Sequence, residues 1–115
     1  MTRFLEQGRD MILDIETRGA KTLKKNYQGG IYVFVLPPSL AELKARLQKR
    51  GESDAEIRKR LDKVREEIGE AHGYDYVIFN DQLEKAVEHL QAIYWAEKSR
   101  AERMKKQIQD VLAHE

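Results

Sequence analysis

The chain has 115 residues, 41% hydrophobic and 36% charged, which is enough for one domain with a modest core and too few for two. Its 21 Lys plus Arg against 20 Asp plus Glu leave a net charge of +1, so no whole-molecule field draws it to nucleic acid or membrane, and any basic function must be local. With no Cys, disulfides, thiolate chemistry and zinc-thiolate sites are excluded; no apolar run approaches the roughly 20 residues of a membrane span, Met1 to Asp10 lacks a signal peptide's apolar stretch, and a cytoplasmic protein is expected.

Met11 to Ile15 is short and apolar, bounded by Gly8 and Gly19, and predicts a buried strand. A partial helix precedes it and a further helix follows, joined by the polar link Lys24 to Gly30 to a second strand. That strand, Ile31 to Leu36, is rich in β-branched and aromatic residues and stops at Pro37-Pro38, where the ladder donor disappears. Ser39 with Glu42 forms a capping box, Leu40, Leu43 and Leu47 share one helical face, and Gly51 supplies the stop. A second box, Ser53 with Glu56, opens a helix whose Ile57, Leu61, Val64 and Ile68 are spaced 4, 3 and 4 apart.

Tyr76 to Phe79 is the third strand, a continuous apolar run of the kind covered on both faces in a parallel sheet. Asp81 and Glu84 then open a helix with Leu83, Val87, Leu90 and Tyr94 facing inward, and no Gly or Pro interrupts it before the end of the chain. Its stripe continues through Ala101, Met104, Ile108 and Val111, so the far end is expected to pack on something other than this sheet. The alternation predicts an α/β fold of three parallel strands with flanking helices, as one domain over residues 1–115.

Asp14 and Glu16 lie two apart on the expected strand and share a face near its carboxyl end, as a magnesium-nucleotide acid or as ordinary strand-end carboxylates. Arg46 and Arg50 share a helix face and Arg60 stands on the next helix. They read as a phosphate clamp of bidentate donors or as a solvated basic face paired with Glu42, Glu56 and Glu66. Asn80 ends a strand before a helix, where its amide contacts a base edge or makes an Asx turn. His72, His89 and His114 have no metal spacing, and Tyr94 and Trp95 read as packing residues.

Taken in order, L-D-I-E-T-R-G-A (Leu13 to Ala20), V-F-V-L-P-P-S-L-A-E-L (Val33 to Leu43), R-L-Q-K-R-G (Arg46 to Gly51), R-L-D-K-V-R-E-E-I (Arg60 to Ile68) and Y-D-Y-V-I-F-N-D (Tyr74 to Asp81) closely resemble the guanylate kinase family over about residues 3 to 103. The resemblance implies a partial P-loop kinase core with a lid, to which the stripe adds a long C-terminal helix that outlasts the family's usual helix end, and it implies transfer of the γ-phosphoryl of ATP to GMP with magnesium. It maps Arg46, Arg50 and Arg60 onto the phosphate-binding arginines, Gly51 to about Ile57 onto the lid over ATP, and Asn80 onto the adenine contact. Asp14 maps onto an acid near the magnesium and phosphates, and Glu16 onto an acid near the guanine. Glu16 stands where the family has Asp, Arg18 where it has Gln, and the lid is one residue shorter than the common form.

No G-x-x-x-x-G-K-[ST] occurs, and Gly29-Gly30 is followed by Ile31 and Tyr32. The resemblance is therefore to the C-terminal half, without the P-loop, the first strand or the GMP-binding region. In that family the first strand lies between the strand ending at Asp14 and the strand from Ile31. Its absence leaves strand edges that must close up, take a strand from the N-terminal half, or pair in self-association. The chain alone is expected to be inactive. The alternative is a non-catalytic module that clamps a phosphorylated partner or oligomerises through its last helix.

Overall fold

The computed structural model describes residues 10–27 and 29–114; the partial helix expected at the start of the chain lies outside them. Two compact units result, Met1–Tyr32 and Val33–Glu115. In the first, helix α1 (Thr17–Asn26) follows the extended Glu16, whose carbonyl accepts the Ala20 N–H at 2.9 Å. Lys24 and Lys25 in its last turn oppose the partial negative charge of the helix end. The Tyr27 N–H closes the helix on the Leu23 carbonyl at 2.7 Å, and the Tyr32 hydroxyl donates to the Tyr27 carbonyl at 3.1 Å.

The expected strand at Met11 to Ile15 does not form: residues 10–16 carry no ladder, so three parallel strands are not present among the described residues. The reason is physical, since an apolar run becomes a strand only when a neighbouring strand takes its N–H and C=O groups. The second strand is also shorter than expected. It begins at Val33: Ile31 and Tyr32 carry no ladder, and the Tyr32 hydroxyl is held on the Tyr27 carbonyl.

The second unit is helix-dominated α/β around a two-stranded parallel sheet, β1 (Val33–Leu36) and β2 (Tyr76–Phe79), in the register Val33–Tyr76, Phe34–Val77, Val35–Ile78 and Leu36–Phe79. Between them run α2 (Leu40–Lys49), α3 (Asp54–Ile68) and a 3₁₀ turn (Ala71–Gly73); after β2 come α4 (Leu83–Lys98), a second 3₁₀ turn (Ala101–Arg103) and α5 (Lys105–Ala113). Both serine caps form as the spacing predicts: Ser39 Oγ accepts the Glu42 N–H at 3.0 Å and Ser53 Oγ the Glu56 N–H at 3.2 Å. The stop at Gly51 is a Schellman turn. Gly51 takes φ +80° and donates to Gln48, while Glu52 donates to the Leu47 carbonyl.

The core of this unit is Phe34, Leu47, Ile57, Val64 and Ile78, all buried. Phe34 meets Tyr74 edge to face at 4.8 Å between ring centroids. Paired residues of a parallel ladder share a face, so Val35 lies beside Ile78 and Phe34 beside Val77. Yet Val35 and Val77 are exposed while their partners are buried, so each face of the sheet is only half covered.

The last helix differs from expectation in three ways. It starts from Gln82, without a side-chain cap from Asp81, whose carbonyl is taken by Arg46. It ends at Lys98, because the Ser99 hydroxyl donates to the Trp95 carbonyl at 2.8 Å and competes with the helical ladder, after which Arg100 turns to φ −59°, ψ 135°. The long uninterrupted helix is thus a helix, a 3₁₀ turn and a shorter helix. Finally Leu83, Val87, Leu90 and Tyr94 are exposed rather than inward; the more sheltered positions are Ala86, Ile93 and Glu97. Two strands about 5 Å apart offer too little surface for the stripe of a 16-residue helix about 24 Å long.

Candidate functional site

The second unit brings Arg46 to the carboxyl end of β2. As a fork of fixed geometry, the guanidinium suits two successive carbonyls: Nη1 donates to the Asn80 carbonyl at 2.9 Å and Nη2 to the Asp81 carbonyl at 3.0 Å. Its Nε donates to Glu42 Oε1 at 3.3 Å, one turn back on α2. That ion pair is half exposed, so it orients the guanidinium more than it stabilises the fold. The carbonyls, by contrast, lie past the end of the ladder, where the sheet supplies no donor.

Asn80 is pinned from two sides. Its N–H donates to the Leu36 carbonyl of β1 at 2.6 Å and its C=O accepts from Arg46. Among the described residues the side-chain amide of half-buried Asn80 has no hydrogen bond, so it makes no Asx turn into α4. Of the two uses the sequence left open for Asn80, the Asx turn is not made.

Arg50 caps the C-terminus of α2 and Arg60 stands on α3, each exposed and with a guanidinium that makes no hydrogen bond or ion pair among the described residues. The two helices pack on each other, and the Schellman turn at Gly51 with the Ser53 cap sets the direction of the chain between them. Arg50 follows buried Leu47 by three positions and Arg60 follows buried Ile57 by three, so each flanks the apolar stripe of its own helix. Of the pairings with Glu42, Glu56 and Glu66, that of Arg46 with Glu42 is present, and Arg50 and Arg60 are solvated without one among the described residues.

Asp14 and Glu16 belong to the first unit, both exposed, on residues that are not a strand. The shared strand face expected for them is therefore not built. No group of three His, Asp or Glu among the described residues could hold a metal ion by protein ligands alone. Asp14 fits magnesium only as a single carboxylate beside nucleotide phosphates, the usual way this ion is bound by enzymes that handle them.

One polar cluster had no signal in the sequence. Glu97, 9% exposed near the end of α4, accepts the Tyr76 hydroxyl at 2.6 Å, and its other oxygen lies 3.9 Å from Arg103 Nη2. The hydrogen bond to Glu97 holds the Tyr76 phenol above its ordinary pKa. Glu97 ties β2 to the helix and to the turn that follows, with partners 21 residues before it and six after. No motif encodes such a spacing.

A family model described as guanylate kinase matches residues 1–97. The guanylate kinase of Syntrophus aciditrophicus (strain SB) is 87% identical over 115 residues, all of this chain and 56% of that protein. That of Geobacter metallireducens is 48% identical over 98 residues, 84% of this chain and 48% of that protein. That of Caldanaerobacter subterraneus subsp. tengcongensis is 44% identical over 102 residues, 88% and 50% respectively. The chain spans about half the length of the curated relatives it matches. The matched part is the C-terminal half.

Proposed function

The chain belongs to the guanylate kinase family, and on that premise we propose that it supplies the ATP-gripping half of an enzyme that moves the γ-phosphoryl of ATP to a phosphate oxygen of GMP, giving ADP and GDP. Asn80 contacts the adenine edge. Arg50 and Arg60 meet the phosphates with unengaged guanidiniums, and Arg46 holds the turn that carries Asn80. By the family resemblance Glu16 would serve GMP and Asp14 magnesium. In such a transfer the protein contributes positioning and charge stabilisation rather than covalent chemistry, which is why unpartnered arginines matter more than a nucleophile.

The observation that carries this reading is the pinned Asn80, with an unused side-chain amide, beside helices that offer two unpaired guanidiniums. The phosphate cradle of a P-loop does not occur in the 115 residues, so the polypeptide by itself is inactive and needs a complementary N-terminal half. A coupled ADP-release assay tests this. No GMP-dependent turnover is expected from the purified chain; turnover that Arg60→Ala abolishes overturns the reading.

A second reading, self-association, is favoured by the exposed Leu83, Val87, Leu90 and Trp95 on α4, Ile108, Val111 and Leu112 on α5, and the outer edges of a sheet with only two strands. It is compatible with the first, and with a non-catalytic module that keeps the phosphate clamp. ATP and GMP remain the small-molecule partners of the first reading, with magnesium accompanying ATP.

A further inference from the structure

We propose that Arg46 acts on ATP through Asn80, as a positioning residue that straps the turn between β2 and α4, and that it thereby decides the affinity for the base rather than for the phosphates. The inference rests on the ATP-site reading above and adds a division of labour among the three arginines.

Three observations carry it. Three of the five guanidinium donors of Arg46 are already engaged, two of them by the Asn80 and Asp81 carbonyls at 2.9 and 3.0 Å. Arg50 and Arg60 have no partner among the described residues, so they can meet phosphate without first breaking a contact, whereas Arg46 cannot. Asn80 is the residue whose position depends on that contact: its N–H is fixed by Leu36 and its C=O by Arg46, which leaves the side-chain amide unengaged on a fixed backbone. A base-reading group gains affinity when its backbone is fixed before the ligand arrives, because the ordering cost is already met by the fold.

The strap also joins α2, which carries Arg46 and ends at Arg50, to the strand end that carries Asn80. A phosphate drawn to Arg50 and a base held by Asn80 are then set at a fixed spacing by one side chain, and an inorganic polyphosphate, which has no base, gains nothing from it.

The experiment compares ATP with inorganic tripolyphosphate by calorimetry on the 115-residue chain, for the unmodified protein, Arg46→Lys, Asn80→Ala and the double variant. Lysine keeps the positive charge but not the planar fork that serves two carbonyls. Arg46→Lys is expected to weaken ATP about tenfold and tripolyphosphate less than about twofold, with no further loss when Asn80→Ala is added. Equal weakening of both ligands, or additive losses in the double variant, overturns the proposal and makes Arg46 a direct phosphate ligand.

If the unmodified chain binds neither ligand, the ATP-site reading fails, and the strap is judged by hydrogen exchange at the Asn80 N–H. Protection lost in Arg46→Lys, with the Phe34 and Ile78 amides still protected, sustains the strap. Unchanged protection at Asn80 sinks it.

Discussion

The α2–α3 pair (Leu40–Ile68) and the α4–α5 segment (Leu83–Ala113) both carry apolar residues at helical spacing among many charges, yet they end in different surroundings. In the first, Ile57 is 3% exposed and Leu47 and Val64 are equally sheltered, the helices begin on serine caps, and a glycine turn closes the hairpin. In the second, Leu83 is 68% and Val111 75% exposed, and neither helix begins on a side-chain cap. Periodicity reports that a face is apolar; whether it is buried depends on how much surface opposite it the rest of the molecule supplies. A sheet of two four-residue strands supplies little.

The largest contrast between the regions is in core truncation. Ile57→Ala should cost about 2–5 kcal/mol, whereas Leu83→Ala should stay within about 0.5 kcal/mol, both read from urea denaturation. Similar midpoints for the two variants would mean that the last helix is packed as tightly as the hairpin.

Next in size is association. Ile108→Lys with Val111→Lys should raise the dissociation constant of any self-complex more than about tenfold and leave the circular dichroism of the fold unchanged. Sedimentation that finds the same species for both proteins moves the contact to the strand edges, and a folded monomer of the unmodified chain removes self-association altogether.

A smaller effect sharpens the capped side of the comparison. Ser53→Ala should cost about 1 kcal/mol through the lost Glu56 N–H contact, while Gln82→Ala, at the uncapped start of α4, should cost a few tenths at most. Equal costs at the two positions would remove the asymmetry.

The least effect concerns Tyr76. Its pKa is raised above the ordinary value of 10.0 by the bond to Glu97, so the neutral phenol is the form the fold prefers. The stability it contributes is complete below the unfolded value and is lost as pH rises through the folded one. An alkaline titration followed by tyrosinate absorbance should show a late-ionising group that Glu97→Gln moves to lower pH. A curve unchanged by that substitution contradicts the assignment.

Much of the hairpin was legible in the sequence because its signals are local: a serine three residues before a glutamate, a glycine after the last leucine, apolar residues four and three apart. That Val33–Leu36 and Tyr76–Phe79 are parallel strands was legible too, from two apolar runs separated by helices, whereas their direct pairing was not. Met11 to Ile15 misled because a strand is a property of two segments, and its own composition cannot reveal that no ladder partner stands beside it among the described residues. The break at Ser99 was missed since neither Gly nor Pro marks it; a hydroxyl returning to the Trp95 carbonyl does the same work.

The site divides along the same line. Spacing and resemblance put forward Arg46, Arg50, Arg60 and Asn80 as candidates. The hydrogen bonds from Arg46 to carbonyls 34 and 35 residues away could not be read there, because they depend on where α2 lies against the end of β2.

The central claim is that this chain holds the ATP-gripping half of a guanylate kinase, and the direct measurement is calorimetric titration with ATP and, separately, with GMP. Weak ATP binding that fades as salt is raised, disappears on Arg50→Ala with Arg60→Ala, and has no counterpart for GMP is the predicted result. Binding of GMP without ATP, or ATP binding indifferent to both arginines, would contradict it.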